Sequence, residues 1–410
     1  MIKSQKVKLD NFLFPFFLFV NLYNPISIYL SLFLNLIIFL MLIKRRGLNR
    51  TKIYKEATLI SLIIAIFVII TMIANYNYSN YVFLKYIRNL VVTFLIGNIC
   101  WNININTKIL LNSLGLVFGF HVCFIYLQWA FPSLNSIIAP IFNFDRDISM
   151  FEYVTIRNLG LTGSYDFAAL ISILSIVFFS LLYISKAKNI YFIFALLSFV
   201  SCIRISRLAM IFGTIIYFTL MLYVIKRISY KKKLLPIISL FIGLYIVLIL
   251  ILPIIASTTS LFSDSKYNIH GNVSEGYDYG FGTEMELKGD MLFFPDNNLN
   301  LFFGYGLEPI DVVTNTDIGY VKIIFNIGLI GLWLILMLHY LLAKDVIRQK
   351  HINNTFDKQY KFFIIVYLIL ILLFNYKLLL MYSRGVYELL LILIFILHSK
   401  MLKEDLNYEM

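Results

Sequence analysis

The feature that most constrains this chain is the repetition of apolar runs long enough to cross a bilayer. A helix needs roughly 20 such residues to span the hydrocarbon core. Candidate runs share residues 12–43 as a pair and continue at 57–75, 82–102, 109–130, 166–185, 190–203, 208–225, 234–256, 319–343, 362–382 and 385–399. The first pair breaks at Asn24-Pro25, because proline cannot continue a helix. With 60% hydrophobic residues and a mean hydropathy of +0.84 over 410 residues, no single soluble core can absorb this surface. The expected fold is therefore an all-α integral membrane protein of about twelve transmembrane helices.

The net charge of +13 does not indicate nucleic acid as a partner. A nucleic-acid footprint is a basic stripe on a soluble face, whereas these basic residues cluster in short segments between apolar runs. They carry topology instead. Cytoplasmic loops hold the Lys and Arg excess, and with both termini inside, 24 of the 35 basic residues fall in inner segments. Lys3, Lys6 and Lys8 before Phe12–Val20 imitate a signal peptide, but Asn21-Leu22-Tyr23-Asn24-Pro25 offers no small-residue cleavage site, so the segment reads as the first span. Cys100, Cys123 and Cys202 lie within apolar runs and read as small buried hydrophobes rather than a disulfide framework or a metal site.

This orientation leaves one large external insertion, 257–318, with ten acidic and two basic residues. It separates helices 1–9 (1–256) from helices 10–12 and a cytoplasmic tail (319–410). Its glycines and aromatics, including Tyr277, Tyr279 and Phe281, suit a partly ordered lid; the aromatics fit either sugar stacking or anchoring at the interface. Asp264, Glu275, Asp278, Glu284, Glu286, Asp290 and Asp296 supply carboxylates of the type that flank glycosidic bonds, but spacing alone pairs none of them, and they read first as charge that solvates the loop. His270 is the loop's one histidine; it reads as a solvated side chain or as a base at neutral pH.

Charge at membrane level is costly and marks function by default. Basic residues that oppose the topology are therefore the informative ones. Arg157, Arg204, Arg207 and Arg384 fall at the outer ends of four helices, Lys85 and Arg88 lie just inside another, and Lys377 is near the outer end of the eleventh. The central parts of the spans read as almost free of charge. A guanidinium fork matches phosphate oxygens bidentately, so the cluster suits an anionic phosphate ligand; the alternative is snorkelling to lipid headgroups. Asp317 reads either as a proton acceptor or as a cap for the helix starting at 318. Tyr165 and Asp166 read as a helix start more than as sugar contacts.

Four segments carry a resemblance. Ile205-Ser206-Arg207-Leu208-Ala209-Met210-Ile211-Phe212-Gly213 resembles the Ser-Arg helix start of Wzy-type O-antigen polymerases and the related ligases. Arg157-Asn158-Leu159-Gly160 before Phe167-Ala168-Ala169-Leu170 is similar to that family's Arg-x-x-Gly entry. Phe303-Gly304-Tyr305-Gly306-Leu307 resembles its Gly-x-Gly turn, and Asp317-Ile318-Gly319-Tyr320-Val321 with Gly328-Leu329-Ile330-Gly331 resembles its re-entry into the membrane. The match covers residues 150–340; many ligases have a His-Asn pair where Asp317-Ile318 stands here, which favours a polymerase.

The resemblance implies a GT-C-like, metal- and cofactor-independent glycosyltransferase. It would move a growing glycan from undecaprenyl diphosphate to the non-reducing end of an incoming lipid-linked unit. Arg204 and Arg207, assisted by Arg157 and Arg384, would hold the diphosphate; Arg88, Lys85 and His270 would bind substrate and Asp317 would act as the base. The implied location is the outer face of the bacterial inner membrane and the implied product O-antigen or capsular polysaccharide, with a chain-length regulator as a possible partner. A lipid-linked oligosaccharide flippase or other transporter, an O-antigen ligase and a structural envelope protein remain as alternatives.

Overall fold

The computed structural model describes residues 2–24, 28–75, 80–103, 105–134, 141, 160–162, 164–228, 233–245, 294–295, 297–306, 318–348, 355–376 and 379–408. Among these residues there is helix and no strand. The helices are α1 (Ile2–Tyr23), α2 (Ile28–Leu42), α3 (Lys52–Ala74), α4 (Asn80–Asn102), α5 (Thr107–Ala130), α6 (Tyr165–Lys186), α7 (Asn189–Ile205), α8 (Arg207–Arg227), α9 (Leu234–Tyr245), α10 (Asn298–Phe303), α11 (Gly319–Arg348), α12 (Thr355–Phe374) and α13 (Val386–Tyr408). Six are long and apolar enough to cross a membrane: Lys52–Ala74, Val82–Asn102, Lys108–Ala130, Asp166–Lys186, Ala209–Arg227 and Gly319–Arg348.

The side chains sort as they do in a helix whose outer solvent is lipid. On α3, Ala57, Ile60, Ser61, Ile64, Ala65 and Val68 are buried, while Leu59, Leu62, Ile63, Ile66, Ile70 and Ile73 are exposed. Both faces are apolar; most of the small and hydroxylated residues lie on the inward one. With lipid as solvent there is little hydrophobic drive between helices, so close packing of small residues and interhelical hydrogen bonds bring them together. Helix α6 follows this rule at the centre of the bundle. Its Ala168, Ala169, Ser172, Ser175 and Ser180 are fully buried, and α5, α7, α8 and α12 pack around it.

The two ends of the bundle differ in charge. At one end Arg45 pairs with the buried Asp10 at 2.6 Å, the Lys361 ammonium donates to the Ile347 carbonyl and His398 meets Asp345 at 3.1 Å. This lysine-rich end holds the segment joining α2 to α3 and the C-terminal part of α11. Between α1 and α2, Asn21 and Asn35 exchange reciprocal amide hydrogen bonds of 2.9 and 2.7 Å, satisfying both side chains in an apolar setting.

Several element boundaries depart from the expected spans. Helix α1 starts at Ile2, ten residues before the apolar run, carrying Pro15 inside it. The described part of the 234–256 run is helical over Leu234–Tyr245, and 246–256 lie outside the described residues. The 362–382 run is not one helix: α12 ends at Phe374, because the following Asn375 turns its side-chain oxygen back onto the chain and accepts the N–H groups of Leu380 and Met381 at 2.9 and 3.0 Å.

Helix α11 is broken within its length. Gly328 has φ +67° and ψ −176°, a conformation open essentially to glycine alone. The break makes room for α10, whose C-terminal Gly304 follows Phe303. There Tyr305 N–H donates to Phe325 O at 2.7 Å and Gly306 N–H to Asn326 O at 3.1 Å. Helix α3 supports the same turn, with Thr71 Oγ1 donating to Phe303 O and Asn75 Nδ2 to Gly304 O, both at 3.0 Å. The Gly-x-Gly turn and the Gly328 segment, twenty-odd residues apart, thus form one joint.

Candidate functional site

The site is built around the described residues between α12 and α13, 375–376 and 379–385. Four side chains hold these residues and the first residue of α13 by their backbone. Asn375 takes the two N–H groups already described, Asn89 Nδ2 on α4 donates to Tyr382 O at 2.9 Å, Glu388 Oε2 accepts from Gly385 N–H at 2.6 Å, and Tyr367 Oη on α12 donates to Val386 O at 2.8 Å. Glu388 lies in the first turn of α13, where a carboxylate both caps exposed N–H groups and complements the helix dipole. Gly385 is required by contact as well as by its φ of +79°: a Cβ there would lie 2.5 Å from Leu22 O and 2.6 Å from the Phe167 ring.

These bonds fix how far α13 starts from the end of the bundle. Tyr367 lies seven residues before Phe374, so at 1.5 Å per residue Val386 is about 10 Å below the end of α12. Tyr387 reaches further, to Thr93 Oγ1 on α4 at 2.8 Å, thirteen residues or about 20 Å from that helix's start. Residues 379–385 therefore lie within the bundle, below the end of α12. Arg384 stands two residues before the first residue of α13, at the helix end where the sequence places it.

At this depth Arg88 on α4 forms an ion pair with Glu388. Arg88 is 8% and Glu388 1% exposed, so both charges are buried in the bundle. Arg88 Nη1 also donates to Asn89 Oδ1 at 3.0 Å. Removing one member of such a pair strands a buried charge and costs about 3–5 kcal/mol, whereas removing both is often nearly neutral. Around the pair lies a shell of hydroxyls and rings: Tyr387 meets Thr93 and Ser61, its ring lies 4.9 Å from that of Tyr382, Tyr86 stands 5.4 Å from Tyr382, and His339 of α11 lies 6.5 Å from Tyr387.

Of the expected site residues, the structure brings Arg88, Lys85 and Arg384 to this region. Lys85 is half-buried one turn from Arg88, toward the start of α4. Ser383 and Arg384 are half-buried between the buried Leu380–Tyr382 and the buried Gly385–Val386. Arg204 and Arg207 are placed by their backbone alone. They flank Ser206, a single extended residue (φ −161°, ψ 160°) between α7 and α8 whose hydroxyl accepts the Ala209 N–H at 3.1 Å. Phe212 of α8 packs on Phe374 of α12, ring centroids 5.4 Å apart, so the α7–α8 break lies at the same end of the bundle as the entry to residues 375–385. Arg157, His270, Asp317 and Lys377 lie outside the described residues.

The start of α6 belongs to the same end. Ser164 caps it by accepting from Phe167 N–H, which bears out Tyr165 and Asp166 as a helix start. Gly160, the glycine of the Arg-x-x-Gly segment, exchanges two hydrogen bonds with the Gln128 amide, 2.7 and 3.0 Å. Leu161 N–H approaches His121 Nδ1 at 3.4 Å, and His121 stacks on Tyr23. These polar supports, like Asn89, Glu388 and the half-buried Lys322 near the start of α11, are not singled out by sequence reasoning. Glu388 was within its reach, since an acid inside an apolar run falls under the same rule that selects Arg88.

Among the described residues no three His, Cys, Asp or Glu side chains gather as metal ligands. Three comparisons, with protein-family models, with curated proteins and with solved structures, find no match to this chain. The chemistry of the site therefore rests on its own groups. At one end of the bundle, helix starts and chain breaks hold arginine and lysine residues, while the buried carboxylate of Glu388 is paired with Arg88. Such an arrangement suits anions by its chemistry, since the fork of arginine and the N-terminal N–H groups of helices act in the same sense.

Proposed function

We propose that this protein polymerises undecaprenyl-diphosphate-linked oligosaccharide repeat units into O-antigen or capsular polysaccharide at the outer face of the bacterial cytoplasmic membrane. In this reading the chain has about twelve spans, with both termini in the cytoplasm and residues 257–318 forming a large external loop. The lysine-rich end faces inward. The observation that carries the proposal is the grouping of Arg384 and Lys85 with the α7–α8 break, where Arg204 and Arg207 sit, at the end opposite the lysine-rich one. Cations that oppose the charge rule mark a functional site by default, and the anionic diphosphate of a lipid carrier is a ligand that suits such a grouping.

The reaction needs a diphosphate leaving group stabilised as the glycosidic bond breaks, and a proton acceptor for the attacking hydroxyl. Fixed cations provide the first without reorganisation at the moment of reaction. Arg204 and Arg207, with Arg157 and Arg384, are assigned to the diphosphate. Asp317 is assigned the proton. Lys85 and His270 are assigned to substrate binding. Arg88, whose charge is matched by Glu388, is assigned to support of Arg384 rather than direct contact with the ligand.

A lipid-linked oligosaccharide transporter is the second reading, favoured by the break at Gly328 and by the non-helical residues 379–385 within the bundle. Discontinuous helices near charged groups are the usual architecture of transport sites. A strain lacking the gene separates the two. Loss of the glycan ladder with single repeat units still attached to acceptor, restored by wild type and not by membrane-inserted Arg207→Ala, supports polymerisation. Loss of the single units as well favours transport.

A further inference from the structure

We propose that residues 297–306 are a re-entrant segment seated in the acyl-chain layer at the end of the bundle opposite the lysine-rich one, anchored there by Thr71 and Asn75 of α3, and that the exposed face of α10 is a lipid-contact surface. Helix α3 supplies the depth. Beyond Glu56 its residues 57–74 carry no charge, a run of about 27 Å that matches the roughly 30 Å hydrocarbon core. Its end at Ala74 therefore marks the membrane boundary, and Phe67 lies about 10 Å below that end. Phe303 stacks on Phe67, ring centroids 6.0 Å apart, which brings the end of α10 into the hydrocarbon. No residue from 297 to 306 is charged.

The side chains and the backbone both fit that medium. Leu299, Phe302 and Phe303 share one face of α10, as residues three and four apart do, and all three are exposed. Ile66, Ile70 and Ile73 are exposed on α3, beside Phe67, so the Phe67–Phe303 stack joins the two faces into one apolar surface. The α3 part of that surface faces acyl chains, and the α10 part continues it. Irregular main chain at this depth must be buried and have its polar groups satisfied without water. After α10, Gly304 and Gly306 are buried, and the half-buried Tyr305 stacks on Phe325. Phe303 O and Gly304 O accept from Thr71 Oγ1 and Asn75 Nδ2. The N–H groups of Gly304, Tyr305 and Gly306 donate to Asn300 O, Phe325 O and Asn326 O, the last two being carbonyls just before the break at Gly328.

The test is tryptophan quenching in the full-length protein, reconstituted in vesicles of dioleoyl phosphatidylcholine or of its dibrominated counterpart. Trp101, Trp129 and Trp333 are replaced by phenylalanine and a single tryptophan is introduced as Phe302→Trp, with Ile70→Trp of α3 as the lipid-facing reference. Brominated lipid is expected to quench Phe302→Trp to at least about half the extent of Ile70→Trp, and aqueous iodide to leave both unquenched. If Phe302→Trp does not fold, Leu299→Trp serves on the same face. Adding Thr71→Val and Asn75→Leu removes the donors to Phe303 O and Gly304 O in a medium that offers no others, and should lower the bromolipid quenching by about two-fold or more. The proposal is overturned if iodide quenches the α10 tryptophan and brominated lipid does not, or if Thr71→Val with Asn75→Leu leaves the quenching unchanged. Because no step reads glycan, the result is independent of the polymerase reading and applies equally to a transporter.

Discussion

Replacing Gly328 by alanine tests the joint between α10 and α11. The substitution places a Cβ 2.1 Å from Phe302 O and 2.3 Å from Phe302 C, both backbone atoms that cannot rotate away. It also holds an L-residue at φ +67° and ψ −176°, a strain of about 1–3 kcal/mol. Relief requires α10 to move off α11. That forfeits the bonds from Tyr305 and Gly306 to Phe325 and Asn326, each worth about 0.5–1.5 kcal/mol net. The loss is thus roughly 2–6 kcal/mol by these two contributions together. Thermal denaturation of the purified protein in detergent, followed by size-exclusion recovery, should show a drop in melting temperature on the order of 5–10 °C. Gly115→Ala is the control: its Cβ would lie 3.6 Å from a Phe178 ring carbon, an ordinary contact inside a helix, and it should be neutral or slightly stabilising. Equal melting temperatures for Gly328→Ala and wild type would refute the account of the break.

Other substitutions probe the remaining supports. Arg88→Gln alone should lower stability by about 3–5 kcal/mol, whereas Arg88→Gln with Glu388→Gln should recover most of it; a double-mutant cycle on melting temperature measures the difference. Ser206→Ala removes the cap of α8 and should cost about 1 kcal/mol, read by the same assay. Asn375→Ala frees the Leu380 and Met381 N–H groups and should raise hydrogen exchange at those two amides, with little change in the core of α6.

The sequence makes the membrane class legible because lipid demands long apolar helices, and the observed α3 to α8 fall within a few residues of the expected spans. The 375–385 segment is not legible in the same way. Its residues are nearly as apolar as a helix, and the feature that ends α12 is the Asn375 side chain turning onto two amides five and six residues ahead, a choice that depends on α4 and α13 being present. Arg88 stands out as a charge in an apolar run, but its partner Glu388 is 300 residues away, and only the packing of α4 on α13 joins them. The Gly304–Gly328 joint is intermediate: both glycine motifs are visible, and their contact is not.

The most direct test of the central claim is reconstitution of the purified protein in liposomes with undecaprenyl-diphosphate-linked repeat units from the source strain, followed by gel analysis of lipid-linked products. The account predicts lipid-linked glycans of many repeat units with wild type and none with Arg207→Ala. Repeat units that stay single but cross the bilayer would contradict it and establish a transporter.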